Sequence, residues 1–96
     1  MKRDALSNDQ INRNLKDIKG WVLDNGKLKK DFIFDDFTNA FAFMTKIALI
    51  AEKINHHPEW SNVYNKLNIQ LATHDSKGIS ELDFFMALEM DKHAGQ

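Results

Sequence analysis

The chain has 96 residues, 43% of them hydrophobic, with 13 basic and 14 acidic side chains and a formal net charge of −1. That is one domain, residues 1–96, near the small end of the usual range, and a chain this short often gains stability by pairing with copies of itself. The charge balance argues against a nucleic-acid footprint, and the absence of cysteine excludes disulfides and thiolate metal sites.

The opening stretch "MKRDALSNDQ" has no apolar core of a secretory signal. Ser7 and Gln10 match a capping box, so a short helix should follow, carrying Ile11, Leu15 and Ile18 on one side and ending at Gly20. "WVLDNGKLKKDFIF" then reads as a β-hairpin, because Asn25-Gly26 suits a two-residue turn whose positions need positive φ. Trp21 and Leu23 share one face of its first strand, and Leu28, Phe32 and Phe34 share one face of the second. The Lys27, Lys29, Lys30 cluster reads as a solubilising element of that hairpin rather than a binding patch.

"DDFTNAFAFMTKIALIAEKIN" is the main helix, capped by Asp36 or Thr38. Ala40, Met44, Ile47, Ala51 and Ile54 form its apolar stripe, while Phe41, Phe43, Leu49 and Ile50 lie outside it. The surplus apolar surface predicts either a covering helix or, preferentially, a subunit contact. The longest apolar stretches are broken by Thr38, Asn39, Thr45 and Lys46 and are too short to span a bilayer, so a soluble cytoplasmic protein is expected. Pro58 should end this helix near residues 55–57.

"WSNVYNKLNIQLATH" reads as a second hairpin turning at Asn65-Lys66, with Trp60, Asn62 and Tyr64 on the side of Leu67, Ile69 and Leu71. "DSKG" is a turn. Ser80 and Asp83 form another helix cap, followed by a helix carrying Leu82, Phe85, Met86 and Met90, with residues 93–96 fraying. The order α-β-β-α-β-β-α predicts an α+β fold, a four-stranded antiparallel sheet with three helices packed on one face.

"NHHPEW", residues 55–60, concentrates chemistry at the end of the main helix. Adjacent helical residues diverge by about 100°. His56 and His57 can therefore share a pocket only if the chain leaves the helix there, as Pro58 suggests. The plainer reading is a polar helix terminus, where histidines interact well with the dipole and the free carbonyls. His74 ends the second hairpin; strand parity from Leu71 puts it on the polar side unless a bulge or the following turn re-aims it. Asp83 can serve as helix cap, as an orienter of an imidazole, or as both. Three histidines and a carboxylate also permit zinc, but no diagnostic ligand spacing is present.

The segment "AEKINHHPEWSNVYNKLNIQLATHDSKGISELD", residues 51–83, closely resembles the pterin-4a-carbinolamine dehydratase family. The resemblance rests on Glu52, His56-His57-Pro58, Trp60, Val63-Tyr64, Thr73-His74, Gly78-Ile79-Ser80 and Asp83, in order, with no hallmark position missing. It covers a third of the chain densely and the rest more weakly, through Trp21, the Phe-rich helix and the element order. The resemblance implies a hydro-lyase that removes water from 4a-hydroxytetrahydropterin, giving the quinonoid dihydropterin that is reduced again for aromatic amino-acid hydroxylases. It implies no metal and no organic cofactor, the pterin being substrate, and a homodimer or homotetramer built partly on helix faces. Animal relatives also stabilise dimers of a homeodomain transcription factor. The competing expectation is therefore a non-catalytic binding module that uses the apolar face of helix 37–55.

By that resemblance His56 and His74 would carry the two proton transfers, His57 would mainly hold and orient the pterin with a share in catalysis, and Asp83 would orient or polarise an imidazole. Glu52, one helical turn before His56, would hold that ring or hydrogen-bond the pterin. Asn55, Pro58 and Thr73 fall in the expected substrate site, with backbone groups of 72–75 reading the pterin's amide edge. Trp60 and Trp21 would wall the flat ring, with packing in the sheet as the alternative for each.

Overall fold

The computed structural model describes residues 1–95. The chain folds as α1 (Asn8–Leu15), β1 (Val22–Asp24), β2 (Lys27–Ile33), α2 (Phe37–Ile54), β3 (Glu59–Val63), β4 (Lys66–Leu71), a 3₁₀ turn (His74–Ser76) and α3 (Glu81–His93). This is the expected α-β-β-α-β-β-α order. One four-stranded antiparallel sheet runs in the order β1-β2-β4-β3, so the two hairpins join through β2 and β4.

Alternation fixes which face is covered. Leu28, Phe32, Leu67, Ile69 and Leu71 point to one side of the sheet and are fully or almost fully buried. They meet Ile11 of α1, Phe43 and Ile47 of α2, and Phe84, Met86 and Met90 of α3 in one core. Lys29, Asp31, Lys66, Asn68 and Gln70 alternate with them and stay polar on the open side. Each fully buried Leu, Ile or Phe contributes about 1.5–3 kcal/mol of transfer free energy.

The caps follow the sequence closely. Ser7 Oγ accepts from Gln10 N at 3.2 Å while Gln10 Oε1 accepts from Ser7 N at 2.8 Å. Asp36, not Thr38, caps α2 by accepting from Asn39 N at 2.8 Å. Asn25 and Gly26 both take positive φ, 56° and 75°, as the two-residue turn requires.

Several expectations need correction. α1 stops at Leu15, and Ile18 is buried from the following turn, so Gly20 (φ 77°) redirects the chain into β1 rather than capping the helix. Trp21 is buried, whereas Leu23, across from Leu28 on an edge strand, is 41% exposed. The buried stripe of α2 is Ala40, Phe43, Ile47 and Ala51; Phe43 belongs to the core, and Met44 and Ile54 flank it. Phe84 takes the core place expected for Phe85.

The second hairpin turns at Tyr64-Asn65, not Asn65-Lys66, with Val63 paired to Lys66. Side chains set that position. Asn62 Nδ2 donates to the carbonyls of Tyr64 and Lys66 across the turn, and Asn65 exchanges two hydrogen bonds with the backbone of Phe34. Moving the turn by one residue slides the register by two, so Trp60 and Asn62 keep their expected side and Tyr64 leaves the strand. α3 remains helical to His93, with Ala94 as its cap; of the segment expected to fray, residue 96 lies outside the described residues.

Candidate active site

The end of α2 explains how two adjacent histidines diverge. Asn55 adopts the left-handed conformation (φ 53°, ψ 49°) and closes the helix. His56 N donates to Ala51 O at 3.0 Å and Asn55 N to Glu52 O at 3.3 Å, the paired bonds of a Schellman motif. The reversal at Asn55 turns His56 inward, where it is 6% exposed. His57, the next residue, is held in the non-helical region by Pro58 and faces outward. The left-handed Asn55, rather than the proline alone, makes the separation.

His56 is held from below by α3. Its Nε2 lies 2.7 Å from Asp83 Oδ1, and Asp83 is completely buried. The other carboxylate oxygen, Oδ2, accepts from Ser80 N at 2.9 Å and from Thr73 Oγ1 at 2.8 Å. Because Thr73 commits its hydroxyl proton to Asp83, the 2.6 Å contact between Thr73 Oγ1 and Ser80 Oγ has serine as donor. Asp83 is thus both the cap of α3 and the partner of His56, through different oxygens. An ionised carboxylate only accepts, so His56 carries its proton on Nε2. Among the described residues no buried side-chain nitrogen or oxygen lacks a hydrogen-bond partner. Nδ1 of His56 has no hydrogen-bond partner among the described residues and is therefore not fully buried, and His56 is one of the residues that line a cleft shared with His57 and His74.

The other two imidazoles also meet carboxylates. His57 Nε2 is 2.6 Å from Glu52 Oε1, with both side chains largely exposed. Glu52 therefore engages His57, not His56. The Schellman reversal breaks the one-turn relation between positions 52 and 56 and brings position 57 over the helix end. His74, at the start of the 3₁₀ turn, lies 3.5 Å from Glu59 Oε1 through Nε2, while Glu59 Oε2 receives Lys27 Nζ at 2.8 Å. Lys27 beside it, chiefly through that hydrogen bond, holds the Glu59 carboxyl below the usual range.

A cleft of about 400 Å³ is lined by His56, His57 and His74 together with Arg3, Asn55, Pro58, Glu59, Ala72 and Asp75. Two segments, 55–59 and 72–75, thus bring three imidazoles to one opening. His74 keeps the open-side placement that strand parity gives it: Thr73 before it is buried, and its ring meets Glu59, which pairs with the open-face Gln70 at the edge of the cleft.

Other residues expected at the site are placed differently. Thr73 is 1% exposed and its hydroxyl is used inside, so it acts on the cleft through Asp83. Trp60 pairs with Ile69 in the sheet and packs against the core. Trp21 donates its indole N–H to Asp91 at 3.0 Å, beside the buried Lys30–Asp91 ion pair of 2.8 Å. Asp91 follows Asp83 by eight residues, about 12 Å along α3, so Trp21 belongs to another part of the core. Neither indole lines the cleft.

Arg3 and Glu59 have no role expected from sequence, and Lys27 only that of a solubilising cluster; instead Lys27 pairs with Glu59, and Lys30 is buried against Asp91. Arg3 donates to Asn55 O at 2.6 Å and lies 3.9 Å from Asp75, tying the N-terminal segment to the rim. Only the strand order would have placed Lys27 near Glu59, because β4 separates their strands. Among the described residues no group of three or more His, Asp or Glu side chains is arranged to hold a metal ion.

The chain is similar to known proteins along nearly its whole length. The family model for pterin 4 alpha carbinolamine dehydratase matches residues 4–93. A protein of Sinorhizobium medicae, provisionally named pterin-4-alpha-carbinolamine dehydratase, is 50% identical over 98% of this chain and 91% of its own length. One of Prochlorococcus marinus with the same provisional name is 48% identical over 96% of both chains. The crystal structure of a transcriptional coactivator/pterin dehydratase from Brucella melitensis superposes with a TM-score of 0.93 at 41% identity, covering 96% of this chain and all of that one. A pterin dehydratase-like protein identified as a RuBisCO assembly factor in the alpha-carboxysome is more distant, with a TM-score of 0.65 and 25% identity over 79% of this chain and 88% of its own.

Proposed function

The chain belongs to the pterin 4 alpha carbinolamine dehydratase family, and from that membership we propose that it dehydrates 4a-hydroxytetrahydropterin to the quinonoid dihydropterin by histidine acid–base catalysis. The product would return, after reduction, to an aromatic amino-acid hydroxylase. The observation that carries the reading is the convergence of His56, His57 and His74 on one cleft, each ring facing a carboxylate. A volume of about 400 Å³ suits a small heterocycle.

The reaction breaks the C4a–O bond and forms the C4a=N5 double bond. The departing hydroxyl takes a proton from an acid and leaves as water, and the N5 proton goes to a base. Histidine can fill either role near neutral pH, and each well-placed group contributes roughly 10²–10⁴-fold. His56 and His74 carry these two transfers. With Nε2–H bound to Asp83, His56 offers Nδ1 to the cleft, where it accepts a proton or, once protonated, returns one. Asp83 orients the ring and stabilises its charged form during the cycle. His57, held by Glu52, binds and aligns the pterin. Backbone groups at Asn55 and 72–75 read its polar edge. Pro58 holds this lip rigid.

No step requires a metal. The test is dehydration of synthetic 4a-hydroxytetrahydropterin followed by ultraviolet absorbance, with and without chelator. Acceleration that persists in chelator supports the reading, and a rate equal to the uncatalysed one refutes it.

A second reading has its own observation. Phe37, Phe41 and Leu49 of α2 are 49%, 55% and 69% exposed, and Phe37 and Phe41 pack together at 5.7 Å. Such a patch suits a protein contact, in a homodimer or homotetramer or with another partner. It uses none of the histidines, so both readings can hold for one chain. Loss of assembly without loss of dehydration in Phe41→Ser would separate them.

A further inference from the structure

His74 is the least constrained of the three imidazoles. It is 77% exposed, and its side chain has a single partner among the described residues, the Oε1 atom of Glu59 at 3.5 Å. A histidine on a short 3₁₀ turn with no other tether samples several rotamers, and each departure from a productive geometry costs rate. The feature that could hold it is itself held. Glu59 stands at the start of β3, and its second oxygen takes a charge-assisted hydrogen bond of 2.8 Å from Lys27, the first residue of β2. β4 lies between those two strands, so the bridge spans the sheet and delivers one carboxylate oxygen to the rim where His74 sits.

We infer that Glu59, fixed by Lys27, is the positioning residue of His74: it accepts a hydrogen bond from Nε2–H and so leaves Nδ1 as the nitrogen that exchanges a proton with the substrate. This inference rests on the dehydratase reading for its catalytic consequence, though not for its structural part.

Three features support it. The two oxygens of Glu59 each face one donor, so the interactions do not compete. Lys27 keeps the carboxylate ionised and acceptor-only to lower pH than an ordinary glutamate, which fixes the sense of the hydrogen bond. The arrangement also repeats that of His56, where Nε2 meets a carboxylate whose other oxygen is bound elsewhere. The distance of 3.5 Å is long for a finished hydrogen bond. Substrate-free catalytic hydrogen bonds are often long and tighten in the complex, and a pterin closing the cleft would exclude the water that competes for both groups.

The test uses the full-length protein with Glu59→Met, Lys27→Met and His74→Ala, and the double variant combining Glu59→Met with His74→Ala. Nitrogen-15 shifts of the His74 ring report its tautomer in the presence of a non-reacting pterin. The inference expects Nε2–H in the unmodified protein and a mixture of tautomers in Glu59→Met. It expects kcat to fall about tenfold in Glu59→Met, and less in Lys27→Met, with KM changed by less than about twofold. It further expects Glu59→Met to have no added effect once His74 is Ala, since residues acting as one unit are non-additive. An unchanged tautomer in Glu59→Met, or the same tenfold loss in the His74→Ala background, overturns it. If the unmodified protein has no dehydratase activity, the catalytic reading fails, and the ring tautomer alone still decides whether Glu59 positions His74.

Discussion

His56 and His74 stand on opposite terms with the fold. His56 is buried, and its partner Asp83 is locked into a chain of hydrogen bonds that also caps α3 and ties down the end of the second hairpin. His74 is exposed on a turn and depends on one surface carboxylate held by one lysine. Both rings present the same nitrogen to a carboxylate. The difference lies in what else that carboxylate does. Around His56, ring orientation cannot be altered without disturbing the helix cap and the buried hydroxyls. Around His74, orientation and stability are almost separate, because exposed ion pairs contribute little to folding.

That contrast can be broken or sharpened by experiment. The largest effect is expected from His74→Ala, which should lower kcat by roughly 10²–10⁴-fold while leaving Tm unchanged. A loss confined to KM would make His74 a binding residue instead. Asp83→Asn comes next, with a fall in kcat of about 10–100-fold and a loss of about 2 kcal/mol in stability. The amide turns its donor either toward Ser80 N–H, leaving that N–H unmatched, or toward His56, forcing the ring onto the Nδ1–H tautomer and taking its acceptor nitrogen from the cleft. Chemical denaturation and turnover measured together check this, and a variant that loses activity at full stability would free Asp83 from its structural role. Thr73→Val should cost about 1–2 kcal/mol and only a few-fold in kcat, because Ser80 N still donates to Asp83.

The smallest expected effect is that of pH on the Lys27–Glu59 pair. The folded-state pKa of Glu59 is depressed, chiefly by its hydrogen bond from Lys27. Its contribution to stability is therefore fully present above the ordinary glutamate range and is lost as pH falls through the lowered folded value. Denaturation midpoints of Lys27→Met and the unmodified protein should converge on acidification through that window, and a gap that widens there would contradict the sign.

The same contrast explains what could be read from sequence. Capping residues act on their own neighbours, so Ser7 with Gln10, Asp36 and Ser80 with Asp83 were legible as local chemistry. The double role of Asp83 was legible too, since the cap and the hallmark histidines lie on one chain segment. The pairing of Glu52 was misjudged. Helical spacing points it at His56, and only the left-handed Asn55, invisible to periodicity, hands it to His57. The turn at Tyr64-Asn65 was displaced because the amides of Asn62 and Asn65 bond across it to backbone that a propensity argument does not weigh. Phe43 entered the core because the stripe of α2 could be drawn through either of two adjacent positions. Glu59 and Lys27 could not have been joined at all without the strand order. Trp21 satisfies its indole on Asp91, a partner 70 residues away in the chain. The family resemblance pointed to the candidate site, and the strand order and caps supplied the partners of its side chains.

The central claim is that imidazoles from two remote segments move the protons of one pterin. The most direct measurement compares the initial dehydration rate of 4a-hydroxytetrahydropterin for the unmodified protein with that for the variant carrying both His56→Gln and His74→Ala, each shown to be folded. The account predicts clear acceleration by the first and a rate close to the uncatalysed reaction for the second. Equal rates for the two proteins would contradict it.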